Sequence, residues 1–341
     1  MSATITTEQA KELLRDQLAS YAERPESFPA ALAARALMPH RYSVANMLLI
    51  LAQSGDVDVL ADRIMPRTEW AKEGFRPSGP AVAIWSKPYT GYRQADGSVS
   101  YHKEAAGADG ATSFTAFRLV PTYPARNVTD DDGQTGEAKA VPLAGEPADV
   151  YRTLTAWLTS EGWTVQERNV DHAGGWTCHD TKTIRIDPRF TGWDRVRVLV
   201  HETAHALMHG SADARAYAGE HRGDMEAEAD GVAFAVLSAY GQDEAARRTV
   251  AYVAGWAKAD TARIEAALER SSAALDAIMS ALAGEPVEIR QPKTRKADNR
   301  QLAAWLRENG LPVRGPVWDA AKAGQRDAGK LALLADGAMV R

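Results

Sequence analysis

His201-Glu202-Thr203-Ala204-His205 sets two imidazoles four residues apart, with a carboxylate beside the first. On a helix four residues advance by about 400°, so the two rings stand about 40° apart and one turn from each other. Rings so placed can share one divalent ion. Val196, Val198, Leu199, Val200, Ala204, Leu207 and Met208 surround the motif without Pro or Gly until Gly210, which predicts a helix over about 194–209. The chemistry of such a set is metal-assisted hydrolysis. Zn2+ lowers the pKa of a bound water toward about 7, and Glu202 accepts the proton as general base. The bland alternative is a pair of satisfied structural histidines.

A catalytic zinc needs a third protein ligand and an open position. Asp224-Met-Glu-Ala-Glu-Ala-Asp-Gly-Val-Ala-Phe-Ala-Val-Leu-Ser-Ala-Tyr-Gly241 reads as the next helix, with Asp224 as N-cap and Gly241 as C-cap. With Glu226 at 0° on the wheel, Ala229, Ala233, Val236, Leu237 and Tyr240 fall between about 280° and 20°. Glu226 thus lies in the buried stripe, Asp230 at its edge, and Glu228, near 200°, on the solvent side. A carboxylate in an apolar stripe needs a partner, so Glu226 is the expected third ligand. Asp230 is the expected acceptor behind a ligating imidazole. Alternatively Glu226 pairs with an arginine such as Arg222. His209 and His221 could also ligate, although each reads more simply as a surface histidine. Tyr217 is the nearest polar candidate for an oxyanion donor.

The elements that must carry these residues give an α+β pattern. Helices are expected over about 7–22, 42–53, 148–161, 194–209, 224–240, 243–256 and 260–283, with two short ones at 299–309 and 317–323. Strand-like pieces fall near 80–86, 114–120, 163–168 and 181–187. The alternating Thr181-Lys-Thr-Ile-Arg-Ile-Asp187 could be a sheet-edge strand that pairs with an extended peptide. Two polar stretches break the chain: an acidic, Gly-rich one over 129–147 and a basic one over 285–298. The expected domains are therefore 1–128, 148–284 and 299–341.

Residues 1–128 carry 14 basic and 13 acidic side chains, residues 129–284 carry 15 and 25, and residues 285–341 carry 11 and 7. If any part meets nucleic acid electrostatically, the acidic middle is the poorest fit and the C-terminal piece the best. The single cysteine, Cys178, excludes an internal disulfide framework. No stretch approaches the roughly 18 apolar residues of a membrane span, and the N-terminus lacks a signal-peptide pattern. The expectation is a cytoplasmic protein with no membrane partner.

His201-Glu-Thr-Ala-His205 followed by Glu226-Ala-Glu-Ala-Asp-Gly-Val-Ala-Phe-Ala resembles the zincin-like peptidase domain shared by ImmA/IrrE regulatory proteases and antirestriction ArdC proteins. Trp176-Thr-Cys-His-Asp-Thr-Lys-Thr-Ile-Arg-Ile-Asp187 and Tyr252-Val-Ala-Gly-Trp256 look like the same group. The resemblance implies zinc on His201, His205 and Glu226, with Glu202 as base and a protein or peptide substrate. Arg41–Gln53, Arg67-Thr-Glu-Trp70, Gly79–Lys87 and Phe117–Tyr123 resemble the ArdC single-stranded-DNA-binding domain. That implies contacts from Trp70, Trp85, Tyr89 and Tyr92 interleaved with Arg67, Lys87 and Arg93, since single strands are held by aromatic platforms in a cationic groove. The alternative for Trp70 and Trp85 is a place in the core. Residues 299–321 are similar to the small helical DNA-binding tail of nucleoid-associated silencers, with Arg314 in the minor-groove loop and double-stranded DNA as partner. The whole implies an ArdC-like antirestriction protein of mobile DNA. The rivals are an ImmA/IrrE-like protease cleaving a repressor, and a DNA-coating protein whose zinc is structural.

Overall fold

The computed structural model describes residues 5–24, 26–101, 111–136, 142–170, 173–209, 222–242, 261–287, 306–307, 309–313 and 317–318. The expected helix at 243–256, most of the two short C-terminal helices, and Tyr217, His221 and Arg314 lie outside the described residues. The chain is α+β and divides into two compact units, the first mainly residues 1–144 and the second mainly residues from 145 onward.

The first unit opens with helices α1 (Thr7–Glu23), α2 (Ser27–Ala36) and α3 (Val44–Ser54). Thr6 caps α1 in a capping box with Gln9, and Ser43 caps α3 by accepting from the Asn46 amide. Beyond a 3-10 turn come β1 (Ile64–Met65), α4 (Arg67–Lys72), β2 (Arg76–Pro77) and β3 (Val82–Trp85). The strands β4 (Tyr89–Arg93), β5 (Val99–Ser100), β6 (Thr112–Ala116), β7 (Leu119–Pro124) and β8 (Val128–Thr129) follow. They make an antiparallel sheet β1-β7-β3, a second sheet β5-β4-β6 and the pair β2-β8.

Met47, Leu48, Leu49, Ile50 and Leu51 bury the whole of α3 in this core, and β3 packs on it through Val82, Ala83 and Ile84. The free edge of β3 is taken up by two side chains of α3. Asn46 accepts from the Trp85 N–H at 2.8 Å and donates to the Trp85 carbonyl at 3.0 Å. Gln53 does the same to both backbone groups of Ala83 at 2.9 Å. Sequence reasoning missed α2, whose Pro29 sits within the first turn, where proline is tolerated.

The acidic stretch expected to be a linker from 129 is folded at its start. β8 pairs with β2, Thr129 bridges Thr135, and Asp130 accepts from the amides of Asp132 and Gln134. A side-chain carboxylate closing its own loop lets a polar segment order without an apolar core.

In the second unit α5 (Pro147–Ser160) leads to β9 (Thr164–Glu167), β10 (Gly175–Cys178) and β11 (Thr183–Ile186). Then come α6 (Gly192–Met208), α7 (Arg222–Ala239) and α8 (Thr261–Leu282). The sheet runs β10-β11-β9, with β11 parallel to β9 and antiparallel to β10. The strand expected at an edge is thus the middle one. Its alternate residues Ile184 and Ile186 are fully buried, so a two-sided position is what its apolar content supports. The short, polar β10 is the edge that runs along α6. Val196, Leu199, Val200 and Ala204 are fully buried, and α6 packs against this sheet and α5.

Candidate metal centre

α6 and α7 bring the motif and its expected partner together. His201 Nε2 lies 3.0 Å from His205 Nε2 and 3.3 Å from Glu226 Oε2, and His205 Nε2 lies 3.9 Å from the same oxygen. All three residues offer ligand atoms within 4.8 Å of one another. Donors at about 2.0–2.1 Å from a tetrahedral ion stand roughly 3.3 Å apart, so the three distances bracket what a zinc ion requires. A cation joining these atoms would displace any proton shared among them. Two imidazoles and a carboxylate are also a common catalytic zinc donor set, so the residues present fit the metal.

Behind the ligands, the His201 Nδ1 is 2.8 Å from Asp230 Oδ1, which fixes Nε2 as the metal-facing nitrogen. Burial pushes the His201 imidazole down. The hydrogen bonds to Asp230 and Glu226 and the nearby charges outweigh it and carry the ring up to about 10. His205, desolvated beside two other imidazoles, is pushed down to about 4.

Glu202 is buried at 6% exposure, and Thr177 of β10 donates to its Oε2 at 2.6 Å. The same hydroxyl is 3.0 Å from the Glu202 carbonyl, which ties β10 to α6. Burial pushes the Glu202 carboxyl above the usual carboxylate range. Gly175, two residues before Thr177, gives Glu202 its space: a Cβ there would stand 2.6 Å from Glu202 Cγ and 2.7 Å from Oε1. On the other face of β10, Trp176 is exposed and carries the Arg185 guanidinium 4.8 Å from its ring centre.

Glu228 was placed on the solvent side by the wheel and is instead 1% exposed. It takes two hydrogen bonds from Arg270, at 2.9 and 2.5 Å, and lies 3.4 Å from His209 Nε2. The reason is that α7 is covered all round: Ala235, on the same side as Glu228, is fully buried too. His209 is likewise buried, not a surface histidine, with its Nδ1 2.9 Å from His205 Nδ1. The signal for both was the run of small residues, Gly231 and Ala235, in line with Glu228, which marks a close-packing face.

In the first unit, the expected DNA contacts divide. Trp70 is 0% exposed, packs with Ala125, Val128 and Phe75, and donates its indole N–H to the Tyr123 carbonyl at 2.9 Å. It is a core residue and offers no face for a base. Trp85 and Tyr92 are half-buried, and Arg67 on α4 and Lys87 in the loop after β3 are exposed. Tyr89 and Arg93 share one face of β4, from which Tyr92 points away. Sequence reasoning missed their companions on that face. Tyr101 meets the Tyr89 ring at 5.2 Å and the Phe114 ring at 6.4 Å, and Arg93 stands 5.9 Å over Phe114. Gly91 allows the Phe114 ring to lie directly on the strand, since a Cβ there would meet it at 2.4 Å.

The helix-borne cluster of two histidines and one carboxylate beside a small sheet lies within residues 160–256, which match the model of the Peptidase M78 family, the IrrE N-terminal-like domain. Over most of its length the chain has an ArdC-like fold. The crystal structure of the antirestriction ArdC protein from the R388 plasmid, in its metal-free form, superposes over 80% of this chain and 98% of that one. The TM-score is 0.51 at 15% sequence identity. No curated protein matches the chain. Among the described residues, no helix is long and apolar enough to cross a membrane.

Proposed function

We propose that the chain is a zinc-dependent peptidase coupled to a single-stranded-DNA-binding unit, serving as an ArdC-like antirestriction protein of mobile DNA. The observation that carries the reading is the convergence of His201, His205 and Glu226 beside a buried carboxylate that is not itself a ligand. His201, His205 and Glu226 would hold Zn2+, which supplies an acidified water and a polarising charge for a carbonyl. Glu202, held by Thr177, takes the proton from the attacking water and returns it to the leaving amine. Among the described residues β10 is an edge strand of its sheet, which moves the candidate edge for pairing with an extended peptide from β11 to its neighbour.

The DNA part of the reading is supported by the Tyr89, Tyr101, Phe114 and Arg93 face, where rings and a cation alternate as single-strand platforms do. A role for Arg314 and residues 299–341 with double-stranded DNA belongs to the same proposal. The test pairs metal content with cleavage. Wild-type protein binds one zinc and cleaves peptides from a quenched-fluorescence library. Glu202→Gln keeps the zinc and loses cleavage, and His201→Ala loses both. Zinc content unchanged in His201→Ala would refute the ligand set.

A further inference from the structure

The two ligating imidazoles are supported unequally. His201 has a carboxylate directly on its Nδ1. The Nδ1 of His205 faces another imidazole, and the carboxylate comes one step later. We propose that His209, backed by Glu228 and Arg270, is a positioning residue for the metal centre that holds His205 in the tautomer and orientation in which Nε2 can ligate. This rests on the metal-centre reading and extends it to three residues outside the ligand set.

The argument is one of proton counting. His205 can coordinate through Nε2 only if, as a neutral ring, it carries its proton on Nδ1. That N–H then donates to His209 Nδ1 at 2.9 Å, which must be a bare acceptor. The proton of His209 therefore lies on Nε2, the nitrogen that faces Glu228 Oε2 at 3.4 Å. Glu228 is an acceptor because both of its oxygens take hydrogen bonds from the Arg270 guanidinium, at 2.9 and 2.5 Å. The chain Arg270, Glu228, His209, His205 thus runs in one direction, each group donating toward Glu228. The reverse polarity would put the His205 proton on Nε2 and block coordination.

Burial makes the relay selective. His209 and Glu228 are 8% and 1% exposed, so bulk water is a poor substitute for either acceptor. The four groups come from α6, the residue that ends it, α7 and α8, and a metal ligand is held by elements distant in sequence.

The test measures zinc affinity by chelator competition, with the ligand-field spectrum of the Co2+-substituted protein alongside. His209→Leu removes the acceptor and keeps the bulk. His209→Asn restores an acceptor oxygen close to the place of Nδ1. Outer partners of metal-ligating histidines are worth about 10–100-fold in affinity, so His209→Leu should weaken zinc by that factor and alter the cobalt bands. His209→Asn should recover most of the affinity and the wild-type spectrum. Should the leucine variant fail to fold by circular dichroism, His209→Ala replaces it with the same expectation. Wild-type affinity and spectrum without the acceptor would overturn the proposal, as would equal weakening in folded Leu and Asn variants. A wild-type protein that takes up no zinc would overturn the metal centre itself, a result distinct from either.

Discussion

Gly175→Ala tests the placement of the base without altering any reacting group. The added methyl would stand 2.6 Å from Glu202 Cγ, 2.7 Å from Oε1 and 2.9 Å from Cδ, where ordinary carbon contacts are about 3.5–4.0 Å. Gly175 lies within a β-strand, so alanine meets no backbone penalty and the whole effect is steric. Glu202 cannot yield cheaply, because it is buried and its far oxygen is held by Thr177 at 2.6 Å. The carboxylate must shift by about 1 Å, and misplacement of that size costs about 100-fold in rate, or about 2.7 kcal/mol. The three atoms nearest the new methyl all belong to Glu202, so zinc affinity should stay within about threefold of wild type. The assay is cleavage of the library peptides that wild type cuts, with zinc titrated on the same preparations. Full activity in the alanine variant would refute the assignment of Glu202 as a fixed base. Equal loss of zinc and activity would show that the strand holds the ligands instead.

Asp230→Ala should weaken zinc about 10–100-fold while leaving cleavage at saturating metal closer to wild type, checked by chelator competition. Tyr101→Ala or Phe114→Ala should each cost about 1–3 kcal/mol in binding of labelled single-stranded oligonucleotides, measured at several salt concentrations. Trp70→Ala should instead cost about 3–5 kcal/mol of stability, seen in denaturant unfolding. Acid sensitivity has a defined source in Asp187, which the Arg189 side chain and the amides of Arg189 and Val170 hold at about 2, below its ordinary 3.8. A carboxyl depressed in the folded state stabilises above its unfolded value and loses that contribution as pH falls through the folded one. The Tm gap between wild type and Asp187→Asn should therefore shrink from about pH 4 to about pH 2, and a constant gap would refute this.

The motif helix and Glu226 were readable because they depend on local spacing: His201, His205 and the inward stripe of α7 follow from 3.6 residues per turn. Asp230 was readable for the same reason. What failed was whatever depended on how many sides of an element are covered. Glu228 was assigned to water because a wheel with one apolar stripe implies one exposed face, whereas α7 is covered all round. His209 was read as a surface histidine, and its burial beside His205 and Glu228 is a tertiary fact. Trp70 was offered to DNA because an aromatic beside an arginine has the composition of a platform. Burial of its ring by Ala125 and Val128 is a tertiary fact. β10 escaped notice because Gly175-Trp-Thr-Cys178 is short and has no apolar alternation, and its pairing with β11 and the Thr177 hydroxyl hold it in place. Tyr101 follows β5 and Phe114 lies on β6, and only the β5-β4-β6 pairing puts them beside Tyr89.

The amides of Asn46 and Gln53 act as a counterfeit neighbouring strand for β3. A foreign chain could extend that sheet only after evicting both side chains, and each eviction strands a donor and an acceptor that had been satisfied. The helix that supplies the core of the first unit is thereby also its guard against self-association, so weakening either amide should show first as oligomers and only later as lost fold.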